Sequence, residues 1–153
     1  MNSIHTDFFH RKPLKEIFTF GTDRRSEEDF IEIILAYDIQ SIIDVRSFPR
    51  SSIPIFSRKN LEPLLSREHI NYYFLGRQLG GFRKGGYSSY IITEAFSRGI
   101  DSLESIASVE KSAILCAERF PWKCHRRWIA KELQQRGWNV IHIIDKGKVW
   151  IPR

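Results

Sequence analysis

Two cysteines lie close together in a stretch of the chain that is rich in cations. Cys116 and Cys124 enclose Glu118, and Cys124 is followed directly by His125 and Arg126. A thiol near cationic groups, or at the start of a helix, forms the nucleophilic thiolate more readily than an isolated cysteine does. The pattern therefore indicates Cys124 as a nucleophile, with His125 or Glu118 assisting proton transfer.

Three other interpretations of the cysteines stay open. Free cysteines often simply pack in a core, and Cys116 ends an apolar run. The two thiols would form a redox pair or a disulfide only if the fold brought them within reach, and their spacing matches no thioredoxin-like motif. Zinc held by Cys116, Cys124, His125 and Glu118 is disfavoured, because adjacent residues on a helix rarely ligate one ion and no CxxC pair occurs. The sequence indicates no particular cofactor.

A second group of candidates is built from a carboxylate, arginines and paired glycines. Asp44 is a candidate acid or base, or a ligand for a ribose hydroxyl, and a salt bridge to an arginine is the alternative. Gly80 and Gly81 would let backbone approach a ligand closely, although they form no recognised nucleotide motif. Guanidinium groups bind phosphate through two hydrogen bonds, and the candidate anion ligands are Arg25, Arg46 and Arg126.

Composition favours an anionic partner. The 153 residues carry a net charge of +6, which predicts affinity for nucleic acid or a phosphorylated small molecule. Basic and aromatic residues interleave in the same loops, which suits phosphates with stacked bases, and solvated loops with anchoring aromatics are the alternative. The apolar runs are too short to cross a bilayer, and the N-terminus lacks the apolar region of a secretory signal. We therefore expect a cytoplasmic protein with reduced thiols and no membrane partner.

The candidate residues follow predicted strands. Short apolar runs predict strands at residues 16–20, 41–45, 70–75, 112–116 and 140–144. Amphipathic segments predict helices at residues 26–37, 58–68, 90–108, with a break at Gly99, and 124–136. Asp145-Lys146-Gly147 predicts a hairpin turn into a last strand.

Alternating strands and helices with short connections are typical of right-handed βαβ units. We expect an α/β fold with a mostly parallel sheet of about five strands, flanking helices in a Rossmann-like three-layer architecture, and an antiparallel edge hairpin at the C-terminus. Residues 1–14 are expected to form a loosely ordered lead-in, and residues 15–153 a single α/β domain. Ligands of such sheets bind outside the carboxyl ends of the strands, where the candidate residues should converge.

Four blocks of the sequence resemble a known family. They are Thr19-Phe20-Gly21 with Arg25, Asp44-Val45-Arg46-Ser47-Phe48-Pro49-Arg50, Leu79-Gly80-Gly81, and Cys116-Ala117-Glu118 with Cys124-His125-Arg126. Their order and spacing are similar to those of domain of unknown function family 488, from about Phe18 to the last strand. The resemblance implies an α/β fold with a shared site and no established reaction, and it adds to the expectation of a nucleic-acid-related or nucleotide substrate.

Two functional hypotheses follow. The first is an enzyme that acts on a phosphorylated, nucleic-acid-related or nucleotide substrate at the strand ends. In it, chemistry is carried by Asp44, Glu118, Cys124 and His125, and the anion is held by Arg25, Arg46, Gly80, Gly81 and Arg126. The alternative is a noncatalytic nucleic-acid-binding or interaction module, whose affinity would fall steeply with salt. The sequence indicates no oligomeric state.

Overall fold

The computed structural model describes residues 15–152, so the predicted lead-in at residues 1–14 lies outside the described residues. The strands form one six-stranded sheet with the order β3-β2-β4-β1-β5-β6. They are β1 (Glu16–Gly21), β2 (Ser41–Asp44), β3 (Asn71–Phe74), β4 (Ser112–Cys116), β5 (Asn139–Asp145) and β6 (Lys148–Trp150).

The sheet is parallel except at one edge. Strands β1 to β5 pair in parallel, and β6 pairs antiparallel with β5 across a short turn. This confirms the predicted α/β fold with a mostly parallel sheet and a C-terminal hairpin. Strand β4 lies between β1 and β2, so these two strands, which follow each other in the chain, are separated in space.

Helices cover both faces of the sheet. They are α1 (Glu27–Ala36), α2 (Arg58–Arg67), α3 (Gly76–Leu79), α4 (Tyr87–Tyr90), α5 (Glu94–Ala107) and α6 (Arg126–Gln135), with 3₁₀ turns at Pro54–Phe56 and Pro121–Lys123. Buried residues of α1 and α2 pack on one face, and buried residues of α3, α5 and α6 pack on the other. Among residues 15–152, no helix has the length and apolar character that crossing a membrane requires.

Aromatic and aliphatic side chains fill the two cores. On the first face, the Phe30 ring lies between Phe20 and Phe56, at centroid distances of 5.2 and 5.1 Å. On the other face, Ile100 of α5 and Leu133 of α6 are fully buried. Each such side chain stabilises the fold by roughly 1.5–3 kcal/mol through removal of apolar surface from water. The two cores hold the strand ends rigid, which fixes the loops that follow them.

Local sequence signals set two of the helix starts. Ser26 caps α1, because its Oγ accepts a hydrogen bond of 3.0 Å from the backbone N–H of Asp29. Thr93 caps α5 by accepting from the backbone N–H of Phe96. The helix predicted from residue 90 therefore begins at Glu94.

Helix α5 is continuous through Gly99, where a break was expected. A Cβ atom at Gly99 would lie 2.8 Å from the Leu79 side chain. The glycine is therefore used for close packing of α3 against α5. Helix α3 and most of helix α4 lie between the strand predicted at residues 70–75 and the helix predicted from residue 90, where the sequence predicts no regular element.

The last helix begins two residues later than predicted. The 3₁₀ turn Pro121–Lys123 takes up the preceding chain, and Cys124 is extended, with φ −139° and ψ 151°. Helix α6 begins at Arg126. The Cys124 sulfur is thus placed just ahead of the first turn, close to the helix N-terminus.

Candidate active site

A cavity of about 360 Å³ opens at the carboxyl edge of the sheet, between the loops that follow β2 and β4. Helix α2 follows β2 on one face and α6 follows β4 on the other, so the two loops diverge and leave a crevice. The cavity brings together five of the predicted residues, which are Arg46, Gly81, Glu118, Cys124 and His125. Seven further residues that line it are Ser47, Phe48, Arg50, Phe82, Cys116, Ala117 and Lys123.

The two cysteines meet at the floor of this cavity. The Cys116 side chain is buried at the end of β4, and Cys124 is half-buried in the loop before α6. Their sulfurs lie 2.9 Å apart, with the Cys124 thiol donating to Cys116. The backbone N–H of Arg126 points at the Cys124 sulfur at 3.5 Å. Both sulfurs therefore have a donor that stabilises negative charge.

Arg126 supplies a buried positive charge to the thiol pair. Its side chain is fully buried, and its Nη1 donates to the Cys116 sulfur at 3.1 Å. Its Nη2 donates to the backbone carbonyl of Arg119 at 2.8 Å, and its Nε has no acceptor within residues 15–152. In that part of the chain no carboxylate pairs with Arg126. Since an unpaired buried charge is costly, the guanidinium favours an anionic sulfur beside it.

The thiol pair shares one proton. Burial raises the pKa of Cys116, but the hydrogen bond from Cys124 and the charge of Arg126 outweigh it and lower that pKa to about 7. The pKa of Cys124 is raised, because its proton is held by Cys116 and because it is buried beside that negative charge. Near neutral pH a large share of the molecules therefore carries one negative charge on the pair, shared along the S–H···S hydrogen bond.

His125 is held in one tautomer. Its Nε2 lies 2.9 Å from the carbonyl oxygen of Val45, and a carbonyl only accepts, so Nε2 carries the proton. The bare Nδ1 then faces the Cys124 sulfur at 3.6 Å. Burial, followed by the charges of Arg126 and Arg83, lowers the pKa of His125. The ring is consequently neutral at pH 7 and able to accept a proton.

The paired glycines allow close packing around His125. A Cβ atom on Gly81 would lie 2.8 Å from Nδ1 of His125, so a larger residue would push the ring out of place. At Gly80 a Cβ atom would clash with the Ser47 side chain and with the backbone carbonyl of Gly76. Only Gly81 lines the cavity, and Gly80 is buried behind it.

Asp44 lies outside the cavity wall, in a buried ion pair. Its Oδ1 accepts from Nε of Arg46 at 2.9 Å and its Oδ2 accepts from Nη2 at 2.8 Å, while the Tyr72 hydroxyl also donates to Oδ2. Arg46 donates from Nη1 to the carbonyl oxygen of Phe56 at 2.7 Å. Burial, together with the Asp44 charge, raises the pKa of the Tyr72 hydroxyl, so it stays a donor. This network fixes the Arg46 side chain against the cavity.

Arg25 also lies away from the cavity. Its Nε donates to the carbonyl oxygen of Gly21 and its Nη2 to that of Ile144, each at 2.8 Å. Its Nη1 lies 3.5 Å from a carboxylate oxygen of Asp145. These contacts tie the end of β1 to the end of β5, and they use most of the donors of this side chain.

The family model for Domain of unknown function DUF488 matches residues 26–133. The chain belongs to this family. The resemblance seen in the sequence is thereby confirmed, and the matched range contains β2, β4 and the whole cavity. A search of curated proteins and a search of solved structures found no match for this chain.

The rim of the cavity in this DUF488 chain is aromatic and cationic. The rings of Phe48 and Phe82 lie edge to face at 5.5 Å and are 67% and 79% exposed. Arg50 and Lys123 are exposed at the same rim, and neither forms an ion pair within residues 15–152. Glu118, likewise exposed and unpaired in that range, provides a carboxylate. Exposed apolar side chains that form one patch at the mouth of a cavity are typical of a site that contacts a partner or ligand.

Several site features lie beyond the sequence prediction. Cys116 is favoured as a packing residue by the sequence, yet its sulfur contacts both Cys124 and Arg126. Tyr72 reaches Asp44 because β3 pairs with β2 in the register Ile42↔Tyr72, which no local pattern reveals. Within residues 15–152, no cluster of three His, Cys, Asp or Glu side chains is arranged to hold a metal ion.

Proposed function

We propose that this protein is a cysteine-dependent enzyme that acts on a small phosphorylated substrate of nucleotide type. One observation carries the proposal: the buried charge of Arg126 is matched by the sulfur of Cys116 and by no carboxylate within residues 15–152. The result is a stabilised pair of one thiol and one thiolate at the floor of an open cavity. Stabilised thiolates in partly exposed, electropositive surroundings are characteristic of reactive cysteines.

In the proposed reaction Cys124 is the nucleophile. Its proton passes along the short hydrogen bond to the Cys116 sulfur as its own sulfur attacks. An S–P bond forms, the P–O bond to the leaving group breaks, and the leaving oxygen takes a proton from solvent, relayed by the Glu118 carboxylate. Water then attacks phosphorus and the S–P bond breaks, with His125 accepting a proton from the water. The Cys124 sulfur takes back its proton from Cys116 and His125 returns its proton to solvent, so phosphate is released and the starting thiol pair is restored.

The rim residues suit the two ends of a nucleotide. Arg50 and Lys123 supply positive charge for the phosphate, and Arg46, held by Asp44, lines the cavity beside them. Phe48 and Phe82 supply aromatic faces on which a base stacks, an interaction worth about 1–3 kcal/mol per base. The substrate class therefore follows from a cationic group and an aromatic pair at the mouth of one cavity.

Three predicted residues take positioning roles in this proposal. Asp44 orients Arg46, Arg126 stabilises the thiolate pair, and Arg25 joins the ends of β1 and β5. They act through other groups and do not touch the substrate.

The test is release of inorganic phosphate from a panel of nucleoside monophosphates by the fully reduced protein. Cys124→Ser is expected to lower turnover by about 10³-fold or more, because the hydroxyl is a far weaker nucleophile, while nucleotide binding is kept. Arg127→Ala is the matched control, since Arg127 is an exposed neighbouring cation outside the cavity lining. Equal phosphate release by Cys124→Ser, or none from any nucleotide by the wild type, would overturn the proposal.

A further inference from the structure

We infer that Cys116 and Cys124 form a reversible redox centre, which a hydroperoxide converts into an intramolecular disulfide. The modification uses the same Cys124 sulfur as the proposed turnover, but it is a different reaction and requires no substrate in the cavity. It rests on the placement of the two sulfurs, on the difference in their exposure and on the buried guanidinium of Arg126 that donates to the Cys116 sulfur.

The geometry requires little movement. The sulfurs are 2.9 Å apart, and a disulfide bond is about 2.05 Å long. Cys116 is held by the central strand β4, which pairs on both sides with β1 and β2. Cys124 belongs to the loop between the turn Pro121–Lys123 and α6. We therefore expect the Cys124 side to move as the bond forms.

Exposure sets the order of events. Cys116 is only 1% exposed, whereas Cys124 is half-buried and faces the cavity. An oxidant that enters the cavity consequently meets Cys124 first. Cys116, hydrogen-bonded directly behind it, is placed to attack the oxidised sulfur.

The reaction balances with one hydroperoxide. The Cys124 sulfur, having passed its proton to Cys116, attacks the terminal oxygen, so that an S–O bond forms and the O–O bond breaks. With hydrogen peroxide the leaving hydroxide takes the proton from Cys116 and departs as water, and Cys124 becomes a sulfenic acid. The Cys116 thiolate then attacks the Cys124 sulfur, an S–S bond forms, and the S–O bond breaks to release hydroxide, which takes a proton from solvent and becomes the second water. Two thiols are oxidised by two electrons and the peroxide is reduced.

Arg126 stabilises the reduced thiol pair and destabilises the disulfide. It stabilises the thiolate, which speeds the first attack. The disulfide carries no charge, so its formation leaves the buried guanidinium without its anionic partner. The disulfide is therefore destabilised relative to the dithiol, and thiol reductants should open it readily.

The experiment treats the full-length reduced protein with one equivalent of hydrogen peroxide and then alkylates the remaining thiols for intact-mass analysis. The chain contains only two cysteines, so an intramolecular disulfide has one possible pairing. We expect both thiols to be lost together, with the mass falling by two hydrogens, and dithiothreitol to restore both. In Cys116→Ser, the sulfenic acid at Cys124 should persist and react with dimedone. In Cys124→Ser, the remaining Cys116 should be oxidised at about one tenth of the wild-type rate or below.

Arg126→Met is a second test variant. Its two readouts, the oxidation rate and the dithiol–disulfide equilibrium, should change in a way that a loss of packing alone would not produce. Oxidation should slow by about tenfold, while the equilibrium in a glutathione buffer should shift toward the disulfide by about tenfold. Accumulation of oxidised Cys124 with Cys116 still open to alkylation in the wild type, or a disulfide only between two chains, would overturn the inference. Phosphate release plays no part in these measurements, so failure of the proposed enzymatic function would leave their outcome unchanged.

Discussion

Arg126 and Arg46 are two buried arginines with different partners. Arg46 pairs with the carboxylate of Asp44, which neutralises its charge and leaves a static structural unit. Arg126 has a cysteine sulfur in the equivalent role, and its Nε has no acceptor within residues 15–152. A carboxylate is already ionised at neutral pH, but a thiol ionises only when its surroundings favour it. The choice of partner is what makes the Arg126 side of the cavity reactive.

The reactivity of the thiol pair should follow its shifted pKa. Burial raises the pKa of Cys116, but the Cys124 hydrogen bond and the Arg126 charge bring it down to about 7, from an ordinary value of 9.0. The thiolate fraction, and with it the rate of alkylation by iodoacetamide, should thus rise about tenfold per pH unit below pH 7 and level off above it. Stopped reactions analysed by intact mass over pH 5–10 would measure this.

Cys116→Ser is the control for that profile. Without the sulfur that receives the proton, alkylation of Cys124 should follow a clearly higher apparent pKa. A wild-type profile centred near the ordinary thiol value would contradict the shared-proton arrangement.

At the scale of elements, the cavity depends on where loops approach each other. The segment after α3 passes so close to the loop before α6 that Gly81 lies against the His125 ring. His125 in turn bonds to the carbonyl oxygen of Val45 at the end of β2. Three separate chain segments are thereby locked around the sulfur of Cys124, and the glycine is the point at which no side chain fits.

Gly81→Ala should displace the His125 ring while leaving the sheet intact. The added methyl would lie 2.8 Å from Nδ1, which breaks the bond from Nε2 to Val45 and removes the neutral base from Cys124. We expect turnover to fall by about 10- to 100-fold, with a loss of stability of about 1–2 kcal/mol from local overpacking. Phosphate release and urea unfolding would measure the two effects.

Lys84→Ala, an exposed change in the same loop, serves as the reference and should alter neither quantity. If the chemical shifts of the His125 ring and their pH dependence are the same in Gly81→Ala as in the wild type, the close approach of Gly81 to His125 has no consequence.

At the scale of the whole molecule, several of the cationic side chains are held in bonds within the fold. Although the chain carries a net charge of +6, many of its arginines bond to carboxylates or backbone carbonyls. These are Arg25, Arg46, Arg83, Arg119, Arg126 and Arg136. The cations left at the cavity rim are few, which fits a small anion better than a long stretch of nucleic-acid backbone.

Salt dependence should separate the enzyme from a nucleic-acid-binding module. If only Arg50 and Lys123 contact phosphate, the affinity for a single-stranded oligonucleotide should fall with salt at a logarithmic slope of about −1.4, or −0.7 per phosphate contact. Arg50→Ala should reduce the slope by about 0.7, and Arg24→Ala, which removes an exposed cation outside the cavity lining, should not change it. Fluorescence anisotropy at several salt concentrations would measure the slopes. A slope of about −4 or steeper would favour the binding module.

The sequence by itself determined the strands and the longer helices, and it pointed to the carboxyl edge of the sheet as the place of the candidate site. Apolar runs such as Ser112–Cys116 and amphipathic segments such as Glu27–Ala36 carry local signals of strand and helix, and Ser26 carries the signal of a cap. Short connections implied a parallel sheet, and parallel geometry placed the candidate residues at one edge. The family blocks led to the same edge. These inferences succeed because periodicity, capping and chain connectivity are properties of neighbouring residues.

Only the tertiary structure decided which side chain meets which. The strand order puts β4 between β1 and β2, so Cys116 and Val45 become neighbours although they are far apart in the chain. The same order turns Arg25 toward β5, lets Tyr72 reach Asp44 from β3, and buries Arg126 against the Cys116 sulfur. Strand order and side-chain direction depend on packing across the whole sheet, and the residue types alone do not encode them locally. That packing brings the sulfurs of Cys116 and Cys124 into contact and buries the Arg126 guanidinium beside them.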